Sequence, residues 1–166
     1  MKRRSRRTLR GSHIAILSIV GLILAAGSHP AKMLYAQGGA RISGAGISKV
    51  GRDTRKLTVS AQAPAGSSGA TGTVQFIHNS PAGLSRFRGT ITCLSVNGGI
   101  AQISGAIEKG ETATGALLDG KSYAITINTS GSPQAFSLPT VGESVGPCSG
   151  GSSQTVPVTE DGFRLQ

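Results

Sequence analysis

One segment of the chain matches a motif that hydrolases use to hold a nucleophilic serine. Residues 142–146 read GESVG, the GxSxG pattern in which a sharp turn between a strand and a helix exposes the serine, here Ser144. A helix must follow that turn, whereas the next five residues read PCSGG and contain strong helix breakers. We interpret the match as a coincidence in a chain rich in Gly and Ser, and we predict no catalytic residue. A small cell-envelope hydrolase remains an alternative.

His78 is the single histidine that follows residue 36. A catalytic triad would require an acidic partner and a nucleophile beside it, and a metal site would require two or three further ligands. The sequence places no such residues next to His78, and the seven acidic residues are scattered singly or in predicted loops. We therefore expect a surface histidine that faces a turn, with no metal and no cofactor.

The two cysteines, Cys93 and Cys148, are 55 positions apart, and neither belongs to a CxxC pair. In an exported chain an even number of cysteines favours pairing, so we predict a Cys93–Cys148 disulfide. A catalytic or metal-binding thiol is the alternative.

Five basic residues form two groups that are close in sequence. Arg86 and Arg88 share one face of a predicted strand, while Arg52, Arg55 and Lys56 cluster at a predicted turn. If the groups meet in the fold, they could bind an anionic polymer or a membrane surface. The alternative is an edge strand whose charges prevent aggregation.

Nucleic-acid binding is not expected, although the formal net charge is +10. Seven of the 17 basic residues precede residue 37, and the remaining ten are nearly balanced by seven acidic residues. The residual charge of about +3 is that of an ordinary surface.

The N-terminal region has the pattern of an export signal. A basic segment precedes the 14-residue apolar run IAILSIVGLILAAG, which is short for a membrane span and typical of a signal-peptide core. We predict a signal peptide and short pre-domain segment over residues 1–36, with cleavage after Gly27 or Ala36, and a single exported domain over residues 37–166. An uncleaved anchor is the alternative; otherwise we expect no stable membrane span in the mature chain. The segment SRRTLR resembles a bacterial twin-arginine motif, which leaves that route and the general secretory route open.

The rest of the chain is patterned for short strands. Gly is frequent, only 14% of residues are charged, and apolar residues alternate with polar ones at Leu57, Val59 and Ala61. Residues 97–99 read NGG between two β-rich runs, a strong hairpin signal. The apolar phase shifts before Leu94, which indicates either a bulge or a strand that passes from one sheet to another. We predict an all-β fold, an antiparallel β-sandwich or barrel of about eight short strands.

Four segments carry a resemblance to a known family. The runs GGARISGAG, RKLTVSAQA, ATGTVQFIHN and GTITCLSVNGGIAQISGAI resemble the small exported bacterial β-domains called post-COAP domains, over about Gly38 to Ile107. The resemblance implies a secreted β-sandwich or barrel, and it assigns no activity to any residue. The family's Asp-rich turn corresponds here to residues 129–133, TSGSP, which contain no acidic residue.

Taken together, these patterns predict a secreted, non-enzymatic β-domain that acts as a cell-surface or extracellular interaction or structural module. The alternatives are a small cell-envelope hydrolase and a binder of polyanions or membrane surfaces through a basic strand face. The ligand, the partner and the oligomeric state are left open by the sequence.

Overall fold

The computed structural model describes residues 39–67 and 69–166, which form ten strands and no helix. In chain order the strands are β1 (Arg41–Val50), β2 (Asp53–Gln62), β3 (Thr71–Ser80), β4 (Gly83–Asn97), β5 (Ile100–Glu111), β6 (Ser122–Asn128), β7 (Ala135–Ser137), β8 (Thr140–Gly142), β9 (Thr155–Pro157) and β10 (Glu160–Leu165). The predicted all-β class is confirmed. The predicted signal peptide over residues 1–36 lies outside the described residues.

All ten strands belong to one antiparallel sheet that curls into a half-barrel. The strand order is β10-β1-β2-β3-β4-β5-β6-β7-β9, and β8 pairs with the other end of β6. Most neighbours are therefore consecutive along the chain, as expected when short turns connect antiparallel strands. The last extended segment is divided after Pro157 into β9 and β10, and β8 is a short strand that the sequence pattern did not indicate.

The hydrophobic core lies on the inner face of the curled sheet. Along β2 the apolar side chains of Leu57, Val59 and Ala61 are buried and alternate with more exposed neighbours, which is the predicted period of two. The rings of Phe87 and Tyr123 lie 5.4 Å apart at the centre of this core. Burial of such aromatic rings contributes strongly to stability, because each removes a large apolar area from water.

The predicted hairpin is formed by β4 and β5. Gly98 and Gly99 adopt φ values of 55° and 84°, a left-handed conformation that glycine enters without steric cost. The register shifts between Ile91 and Cys93, so the predicted bulge is present. As a result Leu94 returns to the core, while Cys93 pairs with Ser104 on the opposite, outer face.

A Gly-rich loop between β8 and β9 covers this part of the outer face. Cys148 is joined to Cys93 by the predicted disulfide, with Cα atoms 5.2 Å apart, and the N–H of Cys148 donates to Ser104 Oγ at 2.9 Å. Further along, the N–H of Gly151 donates to Thr126 Oγ1 at 3.0 Å. The disulfide therefore ties a loop without regular structure to the centre of the sheet.

The end of the chain connects the two edges of the sheet. β9 pairs with β7, whereas β10 pairs with β1. The side-chain amide of Gln134, which precedes β7, also bonds to β10: Phe163 N–H donates to its Oε1 at 2.7 Å, and its Nε2 donates to the Phe163 carbonyl at 3.1 Å. This amide satisfies backbone groups of an edge strand that would otherwise remain open for pairing.

Candidate functional site

Four cations lie close together on the outer face of β2, β4 and β5, and we call them the basic strip: Lys56, Arg86, Arg88 and Lys109. Arg86 and Arg88 alternate with buried residues along β4, so both project from the same face, as the sequence predicts. The register places Arg86 opposite Glu111 and Arg88 opposite Lys109. Strands lie about 4.8 Å apart, so the strip spans only about three strand spacings.

The charges of the basic strip are unequally compensated. Arg86 forms an ion pair with Glu111 at 2.9 Å. Within residues 39–67 and 69–166, no acidic side chain forms an ion pair with Lys56, Arg88 or Lys109. Arg88 and Lys109 are like charges directly opposite each other, an arrangement that destabilises a sheet.

A hollow of about 380 Å³ opens beside these side chains. Arg86, Arg88 and Lys109 line it together with Glu111 and Asp119. One oxygen of Asp119 is already engaged, because it accepts the N–H of Gly110 at 2.8 Å. The hollow thus has three cations and two carboxylates, a formal net charge of +1, and neither Arg88 nor Lys109 forms an ion pair within the described residues.

The other two basic residues that the sequence nominated do not join this strip. Arg52 lies exposed in the turn between β1 and β2. Arg55 is adjacent to Lys56, but successive residues of a strand point to opposite faces, so Arg55 faces inward and its side chain is only 14% exposed. Its Nη2 donates to Asp53 Oδ2 at 2.7 Å. The five predicted residues therefore lie on two faces and a turn, and Lys109, which the sequence did not nominate, lies opposite Arg88.

A polar row crosses the inner face at one end of the core. The register aligns Ser48, Arg55, His78 and Ser85 on four adjacent strands. His78 was expected at the surface, facing a turn, but β3 continues to Ser80 and the alternation that buries Phe76 turns His78 inward as well. Its side chain is 26% exposed, and its Nε2 lies 3.6 Å from Asp53 Oδ2.

A second pocket, the inner pocket, lies where this row meets the core. It has a volume of about 220 Å³, and its polar lining residues are His78 and Ser85 of the inner face together with Arg86. Its apolar walls come from β3, β4 and two later segments: Phe76, Phe87, Leu118, Leu138, Pro139 and Val141. No single stretch of sequence signals this pocket, because its lining residues are brought together by the strand register and by the fold of the chain after β5.

The GxSxG segment does not form a nucleophile elbow. Gly142 ends β8 and Ser144 lies in the loop that follows, with no helix after it in the described part of the chain. The neighbouring Glu143 is exposed and accepts a 2.5 Å hydrogen bond from Lys121, which lowers the pKa of that carboxyl. None of residues 142–146 lines the inner pocket.

No protein-family model, curated protein sequence or solved structure matches this chain. Among the residues described here, no helix is long and apolar enough to cross a membrane, and no three His, Cys, Asp or Glu side chains are grouped so that they could hold a metal ion.

Proposed function

We propose that the chain is an exported, non-enzymatic interaction module that binds an anionic polymer through the basic strip. The observation that carries the proposal is the register that sets Arg88 directly opposite Lys109 beside an open hollow. A chain of carboxylate, sulfate or phosphate groups laid across the strip would place negative charge between two cations that repel each other in its absence.

The charges of the basic strip are only partly compensated. Glu111 forms an ion pair with Arg86, and Lys56, Arg88 and Lys109 then outnumber the one further carboxylate of the hollow, Asp119. Arg88 and Lys109 lie on neighbouring strands about 4.8 Å apart, which is less than the Debye length of roughly 8–10 Å at physiological ionic strength, so these two cations act on one polymer segment together. Because these side chains are exposed, each contact is weak, and binding requires a ligand that reaches several of them at once.

Export and family membership belong to the same proposal. A structural disulfide is typical of oxidising compartments outside the cytoplasm, and the Cys93–Cys148 bond supports the export that the N-terminal pattern predicts. We also propose, from the sequence segments alone, that the chain belongs with the post-COAP domains. An anionic glycan or polymer of the cell envelope is the kind of ligand that an exported domain would encounter.

The direct test is salt-dependent retention of the folded protein on a resin carrying dextran sulfate. We expect retention that weakens as salt rises, because binding releases counterions. The double variant Arg88→Gln/Lys109→Gln should elute at clearly lower salt, and the slope of log affinity against log salt should fall by about two, one for each lost contact.

The matched control is Lys49→Gln/Arg164→Gln, which removes the same two residue types from strands β1 and β10. Its net charge equals that of the test variant, so equal losses in both would mean that binding follows overall charge rather than the strip. Retention that is insensitive to salt, or absent for the unmodified chain, would exclude the proposal. Binding to anionic lipid vesicles but not to dextran sulfate would identify a membrane surface instead of a polymer.

A further inference from the structure

We propose that the anionic polymer is a polyuronate, a polysaccharide whose sugar units each carry one carboxylate and free hydroxyl groups. The proposal rests on the proposed function, because it names the ligand class of the same site. The observation that points to it is the mixed lining of the hollow beside the basic strip, which combines cations with carboxylates, an amide and an exposed leucine. A ligand that carries only anionic groups matches just the first of these four.

A row of polar side chains that can donate hydrogen bonds crosses the outer face of four adjacent strands. The register aligns Thr58, Gln75, Arg88 and Lys109 on β2 to β5, and the last three of these line the hollow. No hydrogen bond within the described residues engages the side chains of these three. A guanidinium fits both oxygens of a carboxylate, and an amide can donate to or accept from a hydroxyl. The carboxylate of one sugar unit therefore fits between Arg88 and Lys109, with a sugar hydroxyl beside Gln75.

Two carboxylates give the hollow acceptors that an anionic group cannot use. Glu111 Oε1 accepts a hydrogen bond from Arg86, and Asp119 Oδ1 accepts the N–H of Gly110. The second oxygen of each carboxylate has no hydrogen bond in the described part of the chain. An ionised carboxylate only accepts hydrogen bonds, so it repels a phosphate or sulfate group but accepts a bond from a sugar hydroxyl. The hollow therefore favours hydroxyl groups next to a negative charge over closely spaced anions.

The size and charge of the hollow match a sparsely charged polymer. Its three cations and two carboxylates give a formal net charge of +1, and Lys56 of the basic strip adds one cation outside it. Its volume of about 380 Å³ lies at the lower end of the range of about 300–1,000 Å³ for small-molecule sites, which is room for roughly one or two sugar units. A polyuronate brings one negative charge per unit, whereas a polyphosphate of the same length brings more.

Leu117 gives the hollow an apolar surface that a purely ionic ligand does not need. Its side chain is 71% exposed, the largest exposure among the large hydrophobic residues of the described chain, and a β-bridge with Glu111 fixes its backbone beside β5. A sugar ring has a face of C–H groups that would cover Leu117 while hydroxyls at its rim reach the carboxylates. Covering apolar surface favours binding in proportion to the area removed from water.

The experiment compares three short ligands at one salt concentration: tetragalacturonate, linear tetraphosphate and neutral maltotetraose. Calorimetry on the protein produced from its full-length gene gives the dissociation constants. We expect tetragalacturonate to bind with a dissociation constant on the order of 1 mM and about tenfold more tightly than tetraphosphate, because only the sugar supplies hydroxyls and an apolar face. Maltotetraose lacks the carboxylates and should bind about tenfold more weakly than tetragalacturonate.

Two matched pairs of variants locate the contacts. Leu117→Ala should weaken tetragalacturonate binding about threefold, whereas Leu84→Ala, which removes an exposed leucine outside the hollow, should leave it unchanged. Gln75→Ala should also weaken it about threefold. Its control is Gln62→Ala on the outer face of β2, which removes the same residue type outside the hollow.

Three results would each exclude a polyuronate: tetraphosphate that binds as tightly as tetragalacturonate, tetragalacturonate that fails to saturate below about 20 mM, or equal effects of Leu117→Ala and Leu84→Ala. In these cases salt-dependent retention on dextran sulfate that is lost in Arg88→Gln/Lys109→Gln would still support an anionic polymer, one of higher charge density. Absence of that retention as well would overturn the proposed function together with the polyuronate.

Discussion

At the scale of single residues, Tyr123 shows how one buried polar group is accommodated in the core. Its side chain is fully buried, and its hydroxyl donates to the carbonyl oxygen of Thr90 at 3.0 Å. A buried hydroxyl without such a partner would cost about 1–3 kcal/mol. Burial disfavours the phenolate and raises the pKa of Tyr123 well above its usual value of about 10.

This shift predicts a loss of stability in alkali. The folded pKa is raised, so the contribution of Tyr123 is fully present below the unfolded pKa of about 10 and declines as the pH rises above it, by about 1.4 kcal/mol per pH unit. The variant Tyr123→Phe has no such decline. At pH 8 it should be less stable than the unmodified chain by about 1 kcal/mol, because the Thr90 carbonyl loses its hydrogen bond. The free energies of unfolding in urea, measured for both chains between about pH 8 and pH 11.5, should therefore converge and then cross.

Lysines titrate in the same pH range in both proteins, so the difference between the two curves isolates the tyrosine. Curves that stay parallel throughout would show that the Tyr123 hydroxyl ionises as readily in the folded chain as in the unfolded one.

At the scale of elements, the strands that the sequence predicted best are those with a long alternating pattern. The alternating segment with Leu57, Val59 and Ala61 lies in β2, and the NGG turn forms the β4–β5 hairpin. The bulge near Leu94 was also visible, because a shift of the apolar phase requires an extra residue on one strand. A second register shift, between Arg88 and Gly89, had no such signal, since both sides of it carry polar or small residues.

Short strands could not be predicted for a related reason. β8 has three residues, Thr140–Gly142, and three residues are too few to establish a period of two. This strand exists because tertiary pairing with β6 holds it, not because its residues prefer an extended conformation. Local sequence can therefore predict the hairpins but not the edge of the sheet.

The close contact between β4 and β5 makes Gly105 a sensitive position. A Cβ at Gly105 would meet the carbonyl oxygen of Thr90 and would lie 2.9 Å from the Thr90 carbonyl carbon. That carbonyl also accepts the Tyr123 hydroxyl, so it cannot move without disturbing the core. We expect Gly105→Ala to lower the free energy of unfolding by about 2–3 kcal/mol.

The matched control is Gly142→Ala, because the nearest atom to a Cβ at that position is 3.8 Å away. Its effect should stay within about 0.5 kcal/mol. Urea denaturation of both variants measures the difference. Equal effects would mean that the strands separate easily and that the packing around Thr90 does not limit stability.

At the scale of the whole molecule, both candidate sites depend on the register between strands, which cannot be read from the sequence. The polar row of the inner face uses one residue from each of four strands, and a shift of one residue in any strand would turn its side chain to the other face. The sequence nominated Arg55 and Lys56 together because they are adjacent, yet adjacency in a strand separates them. Conversely, Lys109 joins Arg88 only through the β4–β5 pairing.

The disulfide acts at this largest scale, because it links β4 to a loop 55 residues later. In the chain-entropy model, closing a loop of that length removes unfolded-state entropy worth about 4 kcal/mol, which is a large part of the stability of a small domain. We expect Cys93→Ser/Cys148→Ser to lower Tm by roughly 15 °C, measured by calorimetry at neutral pH. Reduction of the unmodified chain should produce a comparable loss, and the double variant should be insensitive to the reductant.

The same bond offers the sharpest check on export. We expect the protein collected from the culture medium of the producing cells to have the mass of a chain that begins after Gly27 or Ala36. It should react with a thiol label only after reduction, because oxidising compartments outside the cytoplasm maintain such bonds. A full-length mass, or two thiols that react without reduction, would place the chain in a reducing environment or at an uncleaved anchor. In that case the polymer that the basic strip binds would have to be sought inside the cell or at the membrane to which the chain is attached.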